Sequence, residues 1–407
     1  MKVACVGGGP GGLYLSILLK LRDRANEVTV YERSRGGSRS GWGVTFGREL
    51  LRDLREQDQE SADAIRSASF TWRDQVVHVR GEQVVAPGDD AYNISRQLLI
   101  DILTERALAL GVRIEYDIEI ASPVELPDVD LIVAADGVNS KLRAASGGFS
   151  TNTTFGANKY IWLGSSKVFD SFNFIFSETD YGWIWAHAYG IDAETSTFIV
   201  ECSEATWAGL GFDTMSTGEA LPILESVFKE HLDGCRLMGE LGDGSTARWL
   251  NFKIVSNEHW NSGNIVLLGD SAHTAHFAIG MGTTLAIRDA ICLADCLRPA
   301  GPLESALESY QRQRKRELIP TLAEADCSTR WLENIARYID LRPREFGVLL
   351  YARRSPLTAV LPTRISYLLR SAAEQTAVLD AVRAFIAPTA KLIYNRRQAR
   401  PTREGAR

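Results

Sequence analysis

The residues best suited to chemistry lie in four short stretches. Gly7-Gly8-Gly9-Pro10-Gly11-Gly12 has the GxGxxG spacing. It follows the apolar run Lys2–Val6 and precedes Leu13–Leu21, where apolar residues recur at helical spacing. In that context Gly7 permits a tight turn, Gly9 lets backbone approach a pyrophosphate, and Gly12 lets the helix pack on the strand. The helix start then offers free N–H groups and the positive end of its dipole to phosphates. Glu32 closes the next run, Glu27–Tyr31, 20 residues after Gly12. A carboxylate there accepts hydrogen bonds from a ribose diol. Asp136-Gly137 ends the apolar segment Asp130–Ala135, and Gly269-Asp270 ends Ile265–Leu268. An aspartate just past a strand can hold a ribityl hydroxyl. Gly280-Met281-Gly282-Thr283 then opens a further helix, whose N–H groups suit an anionic ring.

The elements that must position these residues begin as a βαβ unit. Asn93–Leu110 is predicted to be a helix with an apolar stripe through Leu98, Leu99, Ile102, Leu103, Ala107 and Leu108. Val112–Tyr116 reads as a further strand. From Thr151 the texture changes to aromatic and β-branched runs separated by turns: Tyr160–Trp162, Phe172–Phe176, Tyr181–Tyr189 and Thr197–Val200. That pattern predicts an antiparallel sheet inserted into an α/β frame. A helix is predicted near Leu285–Leu297, and Leu303 to about Ile393 is mainly helical. The tail Asn395–Arg407, with five arginines and Pro401, is predicted to be a solvated, mobile end.

Composition excludes several classes. The 407 residues are 45% apolar and 24% charged, which fits a globular chain with a sizeable core rather than a disordered or fibrous one. The net charge of −6 lacks the basic footprint of a nucleic-acid binder. No apolar run approaches the ~18 residues that span a bilayer. Val3–Val6 is too short for the core of a secretion signal, so a cytoplasmic location is expected. Six scattered cysteines form no CxxC motif and, with no histidine cluster, no metal site.

The three motifs in this order resemble the single-component flavoprotein aromatic hydroxylases of the p-hydroxybenzoate hydroxylase fold, over Met1 to about Arg330. The resemblance implies an α/β protein: a Rossmann-like FAD-binding domain with an inserted antiparallel β-sheet substrate domain and C-terminal helices. Expected boundaries are FAD-binding segments at 1–72, 93–150 and 259–330, a β excursion at 73–92, the substrate sheet at 151–258, and a helical region with basic tail at 331–407. FAD is the implied cofactor, with NADPH or NADH as a transient reductant. There is only one GxGxxG, so no separate nicotinamide module is visible. The implied FAD residues are Gly7, Gly9, Pro10, Gly11, Gly12, Glu32, Arg33, Val44, Arg96, Asp136, Gly137, Gly269, Asp270, Gly280, Met281, Gly282 and Thr283. Of these, Arg96 would meet the phosphate–ribityl region.

A narrower resemblance, to the salicylyl-CoA and anthraniloyl-CoA hydroxylases and the indole hydroxylase of violacein synthesis, rests on three stretches. They are His273–Gly280, with Phe277 where most of the family has proline, Gly41–Val44, and Thr195–Glu201 with Glu204–Trp207. The anthraniloyl-CoA enzymes continue into a second catalytic barrel and this chain stops at 407, so hydroxylation without further ring reduction is expected. The implied chemistry is transfer of oxygen from a flavin hydroperoxide to an electron-rich ring, either an indole or an aryl thioester. Two rival readings remain: a flavin-dependent halogenase, against which Trp183-Ile184-Trp185 lacks the following Ile-Pro, and a non-catalytic flavoprotein that binds a pathway intermediate. Strand alternation places Trp183, Trp185 and His187 on one face. His276 and His187 are the candidate catalytic residues, and Trp42, Trp183 and Trp185 the candidate substrate contacts. The expected partners are a small aromatic molecule and O₂, with no nucleic acid or membrane, in a monomer or homodimer.

Overall fold

The computed structural model describes residues 1–35, 41–86, 88, 90–241, 244–297, 301–356, 358 and 361–373. The tail Asn395–Arg407 lies outside these residues. The chain divides into two compact units at Leu318/Ile319, within the long helix Leu303–Glu333.

In the first unit the strands Lys2–Val6, apolar from Val3 onward, and Leu131–Ala134, apolar throughout, lie in the middle of a six-stranded sheet. Its order is Asn261–Ser262, Ile265–Leu267, Leu131–Ala134, Lys2–Val6, Glu27–Tyr31, Arg113–Glu115. The pairs are parallel except the first. Both faces are covered, which is why these strands are continuous apolar runs rather than alternating ones. Helices Pro10–Arg22 and Gly282–Cys296 pack closely: a Cβ added at Gly11 would stand 2.7 Å from Leu268 Cδ2 and 3.1 Å from the Ala286 carbonyl.

A second sheet has eight strands. Its order is Leu237–Met238, Thr151–Ser165, Ser196–Cys202, Gly182–Gly190, Phe172–Thr179, Gln75–Val79, Glu82–Ala86, with Leu250–Asn257 also paired to Thr151–Ser165. It is antiparallel apart from the pair Phe172–Thr179 with Gln75–Val79. One face carries Ile161, Ile175, Ile184, Ala186, Phe198 and Val200 against Leu224 and Phe228 beneath the helix Thr217–Val227. The alternate residues, among them Tyr160, Trp162, Phe174, Trp185, His187 and Glu201, therefore form the other face. A three-stranded sheet of Gly43–Gly47, Ala91–Ser95 and Phe70–Trp72 completes this unit's strands.

The predicted helix at Asn93 begins later. Ala91–Ser95 is a strand, and the helix runs Arg96–Ala109. Asn93 is fully buried, pairs with Thr45, and donates from Nδ2 to the Gly190 carbonyl at 2.5 Å. Those partners lie far off in sequence and outweigh the local helical pattern. The stripe is also narrower than expected: Leu99, Leu103 and Ala107 are buried, whereas Leu98 and Leu108 are 40% and 52% exposed.

The described residues of the second unit are helical. Pro343–Tyr351 and Thr363–Ala373 follow the long helix, and Trp331 stacks on Tyr338 at 4.5 Å and meets Phe346 at 5.4 Å.

Candidate active site

The first glycine turn is shaped by steric need. Gly7 has φ +114°, and a Cβ there would lie 2.2 Å from the Ala135 carbonyl oxygen. At Gly12 it would lie 2.3 Å from the Gly7 carbonyl oxygen and 2.9 Å from Cys5 Sγ. At Gly9, the helix cap, nothing lies within 4 Å. So Gly7 and Gly12 are demanded by the protein, whereas Gly9 faces open space. Pro10 occupies the first helical position, no side chain caps this terminus, and no acid sits in its first turn. Its N–H groups are thus left to an outside acceptor. Glu32 bridges the turn: Oε2 accepts from the Gly8 N–H and Oε1 from the Ser34 N–H, both at 2.8 Å. The neighbouring Arg33 is exposed and reaches Glu119 at 3.9 Å.

The second motif turns at Gly137, φ +82°, where an added Cβ would meet nothing within 4 Å. Asp136 Oδ2 accepts from the Lys141 and Leu142 N–H groups at 2.8 and 3.3 Å, while its buried Oδ1 has no partner. Arg143 joins this turn to the third, donating to the Val138 carbonyl at 2.9 Å and the Ser271 carbonyl at 2.7 Å. At Gly269, φ +67°, the N–H donates to Asp289 Oδ2 at 3.0 Å. The same carboxylate accepts from His273 Nε2 at 2.9 Å and from Arg314 Nε at 2.8 Å. His273 is therefore committed to this buried network, where it also stacks on Trp260 at 5.1 Å. Asp270 has an exposed side chain yet is ringed by protein, the situation of a group on the floor of a cleft. That enclosure pushes its carboxyl above the ordinary carboxylate value, while His273 and Arg96 pull it back. Arg96 receives support from the loop before it, its N–H donating to the Trp42 carbonyl at 2.9 Å.

Gly280 has φ +65°, and a Cβ there would lie 2.6 Å from Thr45 Oγ1. Met281 caps the helix Gly282–Cys296, which has no side-chain cap and no acid in its first turn. Gly282 opens onto free space, with Thr283 half-buried beside it. Val44 is buried in the strand that carries Thr45.

Half-buried aromatic rings continue from this point. Phe277 lies 4.7 Å from Tyr160 and 6.0 Å from Phe252, and His276 lies 4.2 Å from Phe277 and 4.8 Å from Phe252. His276 itself is buried, and its Nδ1 accepts from the Ala278 N–H at 3.2 Å. Trp42 lies against the second sheet, its ring where a Gly164 side chain would be, 2.3 Å from the ideal Cβ. Gly43 donates to Thr197 Oγ1 at 2.9 Å and fixes that loop to the sheet.

A family described as an FAD binding domain matches residues 128–319. A salicyloyl-CoA 5-hydroxylase of a Streptomyces species is 36% identical over 368 residues, covering 88% of this chain and 70% of that protein. A 3-hydroxy-4-methyl-anthranilyl-[aryl-carrier protein] 5-monooxygenase of Streptosporangium sibiricum is 32% identical, covering 82% and 90%. The protodeoxyviolaceinate monooxygenase of Chromobacterium violaceum is 30% identical, covering 91% and 100%. The chain belongs to the FAD-dependent aromatic monooxygenases. Its fold matches that of 2-methyl-3-hydroxypyridine-5-carboxylic acid oxygenase, with a TM-score of 0.67 at 20% identity over 91% of this chain and 98% of that one.

The monooxygenase fits FAD on its own geometry. Two uncapped helix starts, three glycines facing open space and the unpartnered Asp136 Oδ1 supply donors, room and an acceptor. The expected tryptophan pair divides by burial. Trp185 is fully buried with its indole N–H donated to Glu201 Oε2 at 3.2 Å, and only Trp183 is half-buried. His187 is 1% exposed and meets the same Glu201 oxygen at 3.4 Å. The reason is register: Glu201 stands directly across from Trp185 and fills that face. The sequence reading gave Glu201, Asn158, Tyr160, Phe252 and Asp289 no role. The one available signal for Glu201 was a lone carboxylate in the otherwise uncharged strand Ser196–Cys202.

Proposed function

We propose that this monooxygenase hydroxylates an electron-rich aromatic ring carried on an acyl thioester or contained in an indole, and not a free aryl carboxylate. The observation that carries the reading is the half-buried wall of Tyr160, Phe252 and Phe277. Rings of this kind bind a flat ring by stacking and edge contacts. The carboxylates acting on the wall are Asp270, which bears on Tyr160, and Glu201 behind it. A free carboxylate on the substrate would be repelled by Asp270, whereas a thioester or an indole N–H would not. Two of the relatives are named for aryl groups held on coenzyme A or a carrier protein, and a third for an indole-derived compound.

When bound and reduced by NADPH or NADH, FAD would supply the activation of O₂, from which the transferred oxygen atom comes. Gly9 to Gly12 and the helix they open hold the pyrophosphate, with Glu32 on the ribose. Arg96, Asp136 and Asp270 hold the middle of the cofactor, and Gly280 to Thr283 the ring end. Phe277 and Tyr160 position the substrate ring and exclude water from it. His276 borders that wall and steadies the loop by accepting the Ala278 N–H. The protein acts in the cytoplasm as a monomer or homodimer, without nucleic acid or membrane. Six free thiols, three buried and three half-buried, suit a reducing compartment, and among the described residues no helix is long and apolar enough to cross a membrane.

The test is a panel of aryl-CoA esters, tryptophan-derived indoles and free hydroxybenzoates, followed by NAD(P)H consumption and product mass. Stimulation by thioesters or indoles with a hydroxylated product is expected. Coupled turnover of free hydroxybenzoates alone would overturn the substrate reading. FAD-loaded protein that no aromatic compound stimulates would overturn the hydroxylase reading.

A further inference from the structure

Among the described residues three carboxylates are buried: Asp58, Asp289 and Glu201. A buried carboxylate needs a compensating charge and satisfied hydrogen bonds. Asp58 pairs with Arg106 at 2.8 Å and Asp289 with Arg314 at 2.8 Å, and both partners are permanently charged. Glu201 differs. Oε1 accepts from Asn158 Nδ2 at 2.8 Å, Oε2 accepts from Trp185 Nε1 at 3.2 Å, and its ion-pair partner is His187 Nε2 at 3.4 Å. Burial works to raise the Glu201 carboxyl. The His187 hydrogen bond, the charges of His276 and His187, and the Asn158 amide together hold it below the ordinary value. The compensating proton for this carboxylate must therefore sit on an imidazole.

The geometry selects which one. His276 Nδ1 already accepts the Ala278 N–H, so a proton there would break the cap of the Phe277–Ile279 turn. His187 Nε2 is the ring nitrogen that meets the Glu201 carboxylate directly, at 3.4 Å. Its ring also lies among three phenylalanines: Phe174 at 5.1 Å, Phe277 at 5.7 Å and Phe172 at 6.4 Å, tilted 64°, 79° and 86°. His187 is 1% exposed among these rings, and where water is excluded the attraction between a carboxylate and an imidazolium is stronger than in water. On the strands beside His187 the other titratable groups of this face are Tyr160, Tyr189 and Glu178: burial pushes both tyrosines up, so neither supplies a positive charge or ionises near neutrality, and Glu178 stands across from Trp183 at the far end of its strand. Asp270 bears on Tyr160 from the cleft.

We propose that Glu201 is a positioning residue that holds a proton on His187, so that a buried carboxylate–imidazolium pair backs the Phe277 wall of the substrate site. The proton comes from solvent and is bound to a ring nitrogen, with no electron transfer. The pair persists while His187 stays charged. As pH rises and that proton is lost, Glu201 becomes an uncompensated buried anion behind Phe277, and the wall loses its fixed geometry. Hydroxylation and stability then decline together on the alkaline side. The effect on hydroxylation rests on the function proposed above, whereas the state of His187 does not.

The test uses FAD-loaded full-length protein with ¹⁵N-labelled histidine. The chain has six histidines, few enough for ring signals to be followed one by one, and His187→Gln assigns the one in question. At pH 7.5 both ring nitrogens of His187 are expected to be protonated. In Glu201→Gln that ring is expected to be neutral at the same pH, with FAD retained. The alkaline limb of kcat/KM should move down by about one pH unit, which is about tenfold in rate on that limb. A neutral His187 in the parent overturns the proposal, as does a charged one in Glu201→Gln. Should Glu201→Gln fail to fold, the parent titration decides alone. Failure of every substrate would remove the kcat/KM limb and the hydroxylase reading, and leave the His187 result standing.

Discussion

The six-stranded parallel sheet and the eight-stranded sheet present different parts of the chain to the cleft. At the carboxyl ends of the parallel strands backbone dominates, with uncapped helix starts at Pro10 and Gly282 and turns at Gly7, Gly137 and Gly269, beside the carboxylates of Glu32, Asp136 and Asp270. On the second sheet they are side chains set by register: Glu201 across from Trp185, Tyr160 across from Glu201, and Phe174 across from His187. The first kind of site fixes a polyanion whose shape never changes. The second can be altered one residue at a time, which suits the half of the enzyme that must recognise the substrate.

If that division is right, the parallel half should tolerate side chains only where they meet open space. Gly7→Val should have the largest effect. It adds a steric clash with Ala135 to a backbone angle that branched residues avoid, about 3 kcal/mol or more. Loss of bound FAD together with a large fall in Tm is expected, and normal FAD content would break the comparison. Asp289→Asn comes next. It leaves Arg314 without a full counter-charge and weakens the acceptor for Gly269, costing about 3 kcal/mol by chemical denaturation. A denaturation midpoint equal to the parent's would show that the Gly269 turn does not depend on it. Glu32→Ala should weaken FAD about ten- to a hundredfold in calorimetry on apoprotein, on the order of 1.5–3 kcal/mol. Equal affinity would remove Glu32 from the cofactor site. Gly282→Val is the smallest in stability, below about 1 kcal/mol, because its added side chain enters empty space. It should nevertheless disturb the flavin absorption spectrum and turnover. An unchanged spectrum would take this turn out of the ring site.

The same division explains what could be read from sequence. Glycine turns after apolar strands are local signals, so the α/β frame, the inserted sheet and the cofactor motifs were legible. So was the family, through those motifs in their order, and the narrower resemblance through His273–Gly280, Gly41–Val44 and Thr195–Glu201. The substrate side was not. Glu201 meets Asn158 across 43 positions and Trp185 across 16, and neither spacing has a periodic signature. Strand alternation correctly put Trp185 and His187 on one face. It could not show that Glu201, one strand over, would fill that face and bury them. Asn93–Ser95 failed as a helix for the same reason: the partners of its strand, Gly43–Gly47 and Gly190, are remote.

The central claim is that this chain transfers one oxygen atom from O₂ to an aromatic ring. The most direct measurement is turnover of a responsive thioester or indole under ¹⁸O₂ with NADPH, followed by mass analysis of the product. The account predicts one ¹⁸O atom on the ring carbon, formed in proportion to the NADPH consumed. Product oxygen drawn from water, or NADPH consumed with only hydrogen peroxide formed across the whole substrate panel, would contradict it.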